Sequence, residues 1–240
     1  MRAILFLAFL VLSATAQSQS ITANKLLDMS IQFHDPMGKW ETCQMELIIS
    51  METPTRPTRN SLVAINNNKG TFSLKYVSRG HLLEYRVDAL DSATVYSDFI
   101  EATGRSDIDS LDLSANRARR WRNYYSYLYG LPMKLKDLGT QIDPEVFQDN
   151  FNGEDVLAIR VTYQAEVGND IWYFYFHPST YAMVGYRFYH NENINDGEYI
   201  VLDGMEIRNG LRVPKNRYWY MNEDARFLGA DMLMSLKVID

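Results

Sequence analysis

Cysteine is almost missing from this 240-residue chain; Cys43 stands alone, so no disulfide can form within it. A domain without such staples must rest on its apolar core, which about 220 residues can supply. Histidine is scarce, with four in the chain. There is no G-x-S-x-G elbow, no H-E-x-x-H helix, no Gly-rich phosphate loop and no C-x-x-C pair. Those gaps remove the common signatures of hydrolases, zinc proteases, nucleotide enzymes and thiol oxidoreductases. Long apolar runs are lacking too. The run from Ala3 to Leu12 is well short of the roughly 20 residues that span a bilayer. No linker, repeat or low-complexity tract divides the rest of the chain.

That first run has a different meaning. Arg2 precedes it and Ser13-Ala14-Thr15-Ala16 comes after it, the layout of a secretory signal peptide. Residues 1–16 are therefore expected to be removed after Ala16, leaving one domain over 17–240, exported to the periplasm or beyond. With no cysteine beside the cleavage site, a lipid anchor is not expected. Setting Arg2 aside leaves 23 basic against 30 acidic residues, a net charge of −7. Such acidity argues against nucleic acid as a partner.

What the chain has in quantity is aromatic side chains, including 16 Tyr and 11 Phe. The spacing predicts a helix over 21–34, stopped by Asp35-Pro36, and a second over 114–129, stopped by Gly130-Leu131-Pro132. Between and after them the period is that of strands: 45–51, 71–77, 81–87 and 93–99, then 155–163, 170–177, 182–190, 198–207, 211–221 and 230–238. Asn209-Gly210 is the strongest hairpin turn, because both central residues of a type I′ turn need positive φ.

If residues 178–181 close a hairpin, Tyr175 faces Val184, Tyr173 faces Tyr186 and Ile171 faces Phe188. Leu157, Ile159, Val161 and Tyr163 then join Tyr173, Tyr175, Tyr186 and Phe188 on one apolar face. The other face carries Arg160, Thr162, Trp172, Phe174, Phe176 and Arg187. The apolar face calls for a cover, and the helices are available. Trp121 and Tyr125 of the second helix complete the set of candidate cavity residues.

Charged clusters suggest less. Asp107, Asp109 and Asp112 fail the EF-hand pattern, which needs Gly where Asp112 stands; an acidic approach to a helix N-terminus accounts for them. His177 and His190 fall at opposite ends of one hairpin, roughly 26 Å apart, and cannot share a metal. His34 reads as a packing or capping residue at a helix end, and Cys43 as a buried, inert thiol. Arg117, Arg119, Arg120 and Arg122 read as a solvated helix face; Arg122 is the candidate for clamping an anionic headgroup at a cavity mouth. No catalytic residue, metal site or cofactor is expected.

His34-Asp35-Pro36, Gly38-Lys39-Trp40, Arg122-Asn123-Tyr124-Tyr125, the run from Tyr129 to Leu135, Trp172-Tyr173-Phe174-Tyr175-Phe176 and the run from Asn195 to Tyr199 together resemble a secreted family of Bacteroidota-type bacteria, a domain of unknown function. The layout resembles the periplasmic lipoprotein carriers of the LolA/LolB kind. That resemblance implies a mainly β (α+β) fold: a strongly curved, unclosed antiparallel sheet with helices packed on its concave face. It also implies a cavity for a lipid or lipoprotein acyl chain. The expected function is non-enzymatic binding of such a ligand. The alternative is a cell-envelope interaction module with a filled core, which would use Trp172, Phe174 and Phe176 as its surface.

Overall fold

The computed structural model describes residues 21–103 and 111–239. The expected signal peptide lies outside them, as do Asp107 and Asp109. Fourteen strands form one antiparallel sheet: β1 (Gln44–Thr53), β2 (Arg56–Asn66), β3 (Thr71–Ser78), β4 (His81–Val87), β5 (Ala93–Ser97), β6 (Ile100–Glu101), β7 (Thr140–Ile142), β8 (Phe147–Phe151), β9 (Glu154–Tyr163), β10 (Ile171–Phe176), β11 (Met183–Tyr189), β12 (Glu198–Arg208), β13 (Leu211–Met221) and β14 (Phe227–Ile239). Their order is β6-β5-β4-β3-β2-β1-β14-β13-β12-β11-β10-β9-β7, with β8 also on β9. The path does not return to its start, so the sheet is curved but unclosed. The first and last long strands of the chain, β1 and β14, meet in its middle over nine paired positions.

Two helices cover the concave face, α1 (Ala23–His34) and α2 (Ala115–Gly130). Each starts on a hydroxyl cap: Thr22 accepts from the Lys25 amide and Ser114 from the Arg117 amide. Asp35 ends α1 and its carboxylate accepts from the amides of Lys39 and Trp40, at 2.7 and 2.8 Å. This turns the chain into β1. Trp40 then packs against Gly130 at the end of α2, where a Cβ would lie 2.3 Å from the indole. Glycine is needed there for space.

The ten expected strands are present, and the chain adds β2 and the short β6, β7 and β8, which the apolar pattern does not reveal. The hairpin register differs from expectation. At the turn the two agree, with Phe176 opposite Met183. Val184 then forms a bulge, so Tyr175 faces Gly185, Phe174 faces Tyr186 and Trp172 faces Phe188. One extra residue reverses the pairing of every side chain beyond it. On the other side the β9 register independently sets Trp172, Phe174 and Phe176 opposite Val161, Ile159 and Leu157, on the concave face. Tyr173 and Tyr175 go to the convex face.

The convex face has a small core of its own. Phe151 stacks on Tyr175 with ring centroids 4.2 Å apart, over Val156 and Ala158. The Phe151 ring reaches across to Gly185, where a Cβ would lie 2.2 Å from it and 2.7 Å from the Ile200 carbonyl oxygen.

Among the buried polar groups, His34 locks α1 to the sheet. Its Nε2 accepts from the Met183 amide at 2.9 Å, and its Nδ1 donates to the Arg212 carbonyl at 2.8 Å. The Arg212 guanidinium returns a bond to the Phe33 carbonyl. Burial lowers the imidazole pKa from 6.5 to about 4, so the ring is neutral in the fold.

Two outcomes are expected. Between pH 6.5 and about 4 the unfolded chain takes up a proton at His34 that the folded chain refuses. Stability conferred by this residue is thus present above pH 6.5 and lost on acidification, by about 3 kcal/mol in all. Denaturant titrations at pH 7 and pH 5 should show this slope in the wild type and a shallower one in His34→Gln, which is also less stable at pH 7. Separately, Gly185→Ala should lower stability by about 1–3 kcal/mol through overpacking, because the carbonyl on one side cannot swing away as a side chain could.

Candidate ligand-binding site

The concave surface is aromatic because α2 presents rings to it from Trp121 to Tyr129. Trp121 and Tyr125 stack on each other with centroids 5.7 Å apart. Tyr125 continues onto Phe72 of β3, and Trp121 meets Tyr76 edge-on. On the other flank Tyr127 hydrogen-bonds the Tyr163 hydroxyl and meets Trp172 edge-on. Tyr124 stacks on Trp219 of β13. The spacing of three and four residues along the helix distributes these contacts across the whole bowl.

The structure thus gathers five of the seven cavity candidates, Trp121, Tyr125, Tyr163, Tyr186 and Phe188, beneath α2. It separates Tyr173 and Tyr175 from them. Tyr173 donates to Glu192 at 2.7 Å on the convex side, in a cluster with Arg160 and Asp143. Trp172, Phe174 and Phe176 take their place on the concave side. Phe174 and Phe176 are fully buried and Trp172 is half-buried against the main core, so these three do not form an exposed partner surface. Arg122 also stands elsewhere than expected. Its guanidinium pairs with Asp91 at 2.6 Å, beside Arg119 on the same carboxylate, in the loop between β4 and β5.

Cys43 is buried beside Asn67, with its thiol pKa pushed up to about 12, mainly by burial. His177 accepts the amides of Ser179 and Thr180 in its own turn, and His190 pairs with Asp170 at 2.6 Å at the far end of that hairpin. Among the described residues no three His, Cys, Asp or Glu side chains are grouped to hold a metal ion.

One feature escapes the sequence pattern. A row of the concave face is polar. Arg59 of β2 faces Met51 of β1, which faces Asp231 of β14, which faces Arg217 of β13. Arg217 and Asp231 are 1% and 3% exposed. Arg217 lies 4.1 Å over the Tyr129 ring and gives its two terminal nitrogens to the carbonyls of Pro214 and Leu128. Arg59 lies over Tyr76 and Trp121 and donates to the Tyr125 hydroxyl. Burial raises the pKa of Asp231 against the opposing pull of Arg217 and Arg59. It raises those of Tyr125, Tyr129 and Tyr186 as well, the first to about 12. These phenols are neutral donors. A cleft of about 170 Å³ opens onto this row at the sheet rim, lined by Met51, Tyr124, Glu198, Trp219, Leu228 and Asp231.

Comparison with known proteins agrees with this architecture. A family model described as a family of unknown function, DUF6503, matches residues 1–235. No curated protein matches the sequence. Solved structures share the fold at low identity. A LolA superfamily protein from Nitrosomonas europaea aligns with TM-score 0.51 and 10% identity, over 92% of this chain and 95% of that one. A domain assigned to outer membrane lipoprotein sorting from Vibrio parahaemolyticus gives 0.52 and 10%, over 88% and 91%. A DUF1329 family protein from Desulfovibrio piger gives 0.53 and 11%, over 89% and 92%.

The register assigns opposite faces to neighbouring residues, and substitution tests this. Phe174→Ala should cost about 3–5 kcal/mol as a large core truncation. Tyr173→Phe loses a single hydrogen bond to a carboxylate, about 1.5–3 kcal/mol at most. Equilibrium unfolding of both variants checks the order.

Proposed function

Because the chain belongs to DUF6503 and carries a LolA-like fold, we propose that it is a non-enzymatic, exported binding protein. Its ligand is hydrophobic, a lipid or lipoprotein acyl chain, held between the curved sheet and α2. The observation that carries this reading is the aromatic bowl itself: Trp121, Tyr125, Tyr163, Tyr186 and Phe188 line one unclosed concave face under a single helix. A structural neighbour assigned to outer membrane lipoprotein sorting supports it. Among the described residues no helix is long and apolar enough to cross a membrane.

The energetics permit it. The interior is occupied by its own rings, so a ligand enters by displacing ring contacts, each worth about 0.5–1.5 kcal/mol. A 16-carbon acyl chain returns roughly 12 kcal/mol gross at about 0.8 kcal/mol per buried CH₂. Association itself costs on the order of 4–15 kcal/mol. The balance gives useful affinity where only a few ring contacts are broken. Helix α2 is the element that can yield, since among the described residues it shares no backbone–backbone hydrogen bond with the sheet and is held by side-chain contacts and the Arg217 bond to the Leu128 carbonyl.

Native mass spectrometry of protein purified from its own cell envelope without detergent tests the reading. The expected result is an added mass that matches a lipid and is lost on denaturation. A bare polypeptide mass, with no uptake of added fatty acid or phospholipid, would overturn it.

A further inference from the structure

The polar row beneath α2 is unusual for a place that is meant to be greasy. It carries six buried polar atoms that make no well-formed hydrogen bond: Nε of Arg59, Nε of Arg217, Nε1 of Trp121, Oγ of Ser61, and the hydroxyls of Tyr129 and Tyr186. Of these, Ser61 stands beside the Tyr125 hydroxyl and Arg217 beside that of Tyr186. Orphaned atoms at this density are rare in folded proteins, and each carries a desolvation cost that a bound partner would remove. The six belong to one neighbourhood. Ser61 and Arg59 are adjacent inward positions of β2, and Trp121 lies beneath the Arg59 guanidinium at 5.0 Å. Tyr129 lies beneath Arg217, and the Arg217 and Asp231 charges both act on Tyr129 and Tyr186.

The chemistry of the row selects the ligand. Three of the six, the two arginine Nε and the Trp121 Nε1, are N–H groups that can only donate, and the three hydroxyls of Ser61, Tyr129 and Tyr186 are free to donate. Two guanidinium groups stand against one carboxyl, Asp231, and among the described residues neither arginine forms an ion pair with it within the 4.0 Å that defines one. Two further acids line the cleft: Glu52 is exposed to solvent, and Glu198 has its pKa raised by burial and is influenced electrostatically by His190 rather than by the row. A buried cluster of donors with a surplus positive charge fits an acceptor of charge −1. The cleft lined by Tyr124 and Trp219 supplies an apolar way in.

We propose that the Arg59–Asp231–Arg217 row, with the Tyr129 and Tyr186 hydroxyls, is a headgroup site for an anionic single-chain amphiphile, whose chain lies along the aromatic rings of α2. This rests on the hydrophobic-ligand reading and adds to it the charge and position of the head. The shared chemistry is a terminal oxyanion, from either a fatty acid carboxylate or a phosphate monoester.

Binding of palmitate, hexadecyl phosphate and hexadecanol to the full chain, measured by titration calorimetry below micelle concentrations, tests this. Palmitate or hexadecyl phosphate should bind at least tenfold tighter than hexadecanol, and the tighter of the two identifies the source of the oxyanion. Tyr129→Phe removes only a hydroxyl that makes no hydrogen bond, so it should fold with an unchanged or higher melting temperature; Tyr186→Phe also gives up the approach of Arg217 and should fold with a slightly lower one. Each should weaken the preferred anion about tenfold more than it weakens hexadecanol. If hexadecanol binds as tightly as both anions, or if the variants weaken all three alike, the headgroup site is overturned while the hydrophobic-ligand reading stands. If none of the three binds, both are overturned.

Discussion

The whole molecule depends on a sheet that curves without closing. Closure would let strands satisfy one another all round and fill the interior from their own side chains. Here the concave face borders a gap instead, and something from outside the sheet must cover it. That requirement explains the composition of α2, whose inward positions from Trp121 to Tyr129 are Trp or Tyr except Leu128. Small aliphatic residues on one helix could not reach from β3 on one wall to β9 and β13 on the others. Tyrosine and tryptophan can, and their hydroxyl and indole groups bring polar atoms with them into the bowl.

Those polar atoms are where stability and function separate. A core selected only for stability would pair or discard the Nε of Arg217 and the hydroxyls of Tyr129 and Tyr186. Their persistence beside Arg59 and Asp231 suits a site assembled for a visitor. The polar groups at the end of α1 are well matched by contrast. Asp35 holds two backbone amides, and both nitrogens of His34 are engaged.

Much of the fold is legible in the sequence. Both helices are marked by spacing and by their stops, and most strands by alternation and turn residues such as Asn209-Gly210, both at positive φ. The hidden parts have physical reasons. Strand β2 is hidden because its inward positions include Arg59 and Ser61, so it lacks an apolar face over half its length. Arg217 and Asp231 are hidden for the same reason: a charged residue in a strand reads as facing water. The polar row is therefore invisible through the very property that makes it distinctive. The face of Tyr173 and Tyr175 is hidden differently, since nothing local marks Val184 as a bulge. Its register depends on Phe151, a residue more than 20 positions away, lying over Gly185.

The pairing of β11 with β12 runs over only four positions, from Gly185–Val201 to Phe188–Glu198. Beyond Gly185 the two strands part, and Met183 is left on one lip of the split with Arg212 of β13 on the other side of β12. The imidazole of His34 spans that split from β11 to β13, taking the Met183 amide and giving to the Arg212 carbonyl. A single side chain thus plays the part of a missing strand, completing the hydrogen-bonding of a seam that backbone alone leaves open. The N-terminal helix is accordingly a stitch between two halves of the sheet as well as a plug in the bowl. Whatever pulls on α1 pulls directly on the seam.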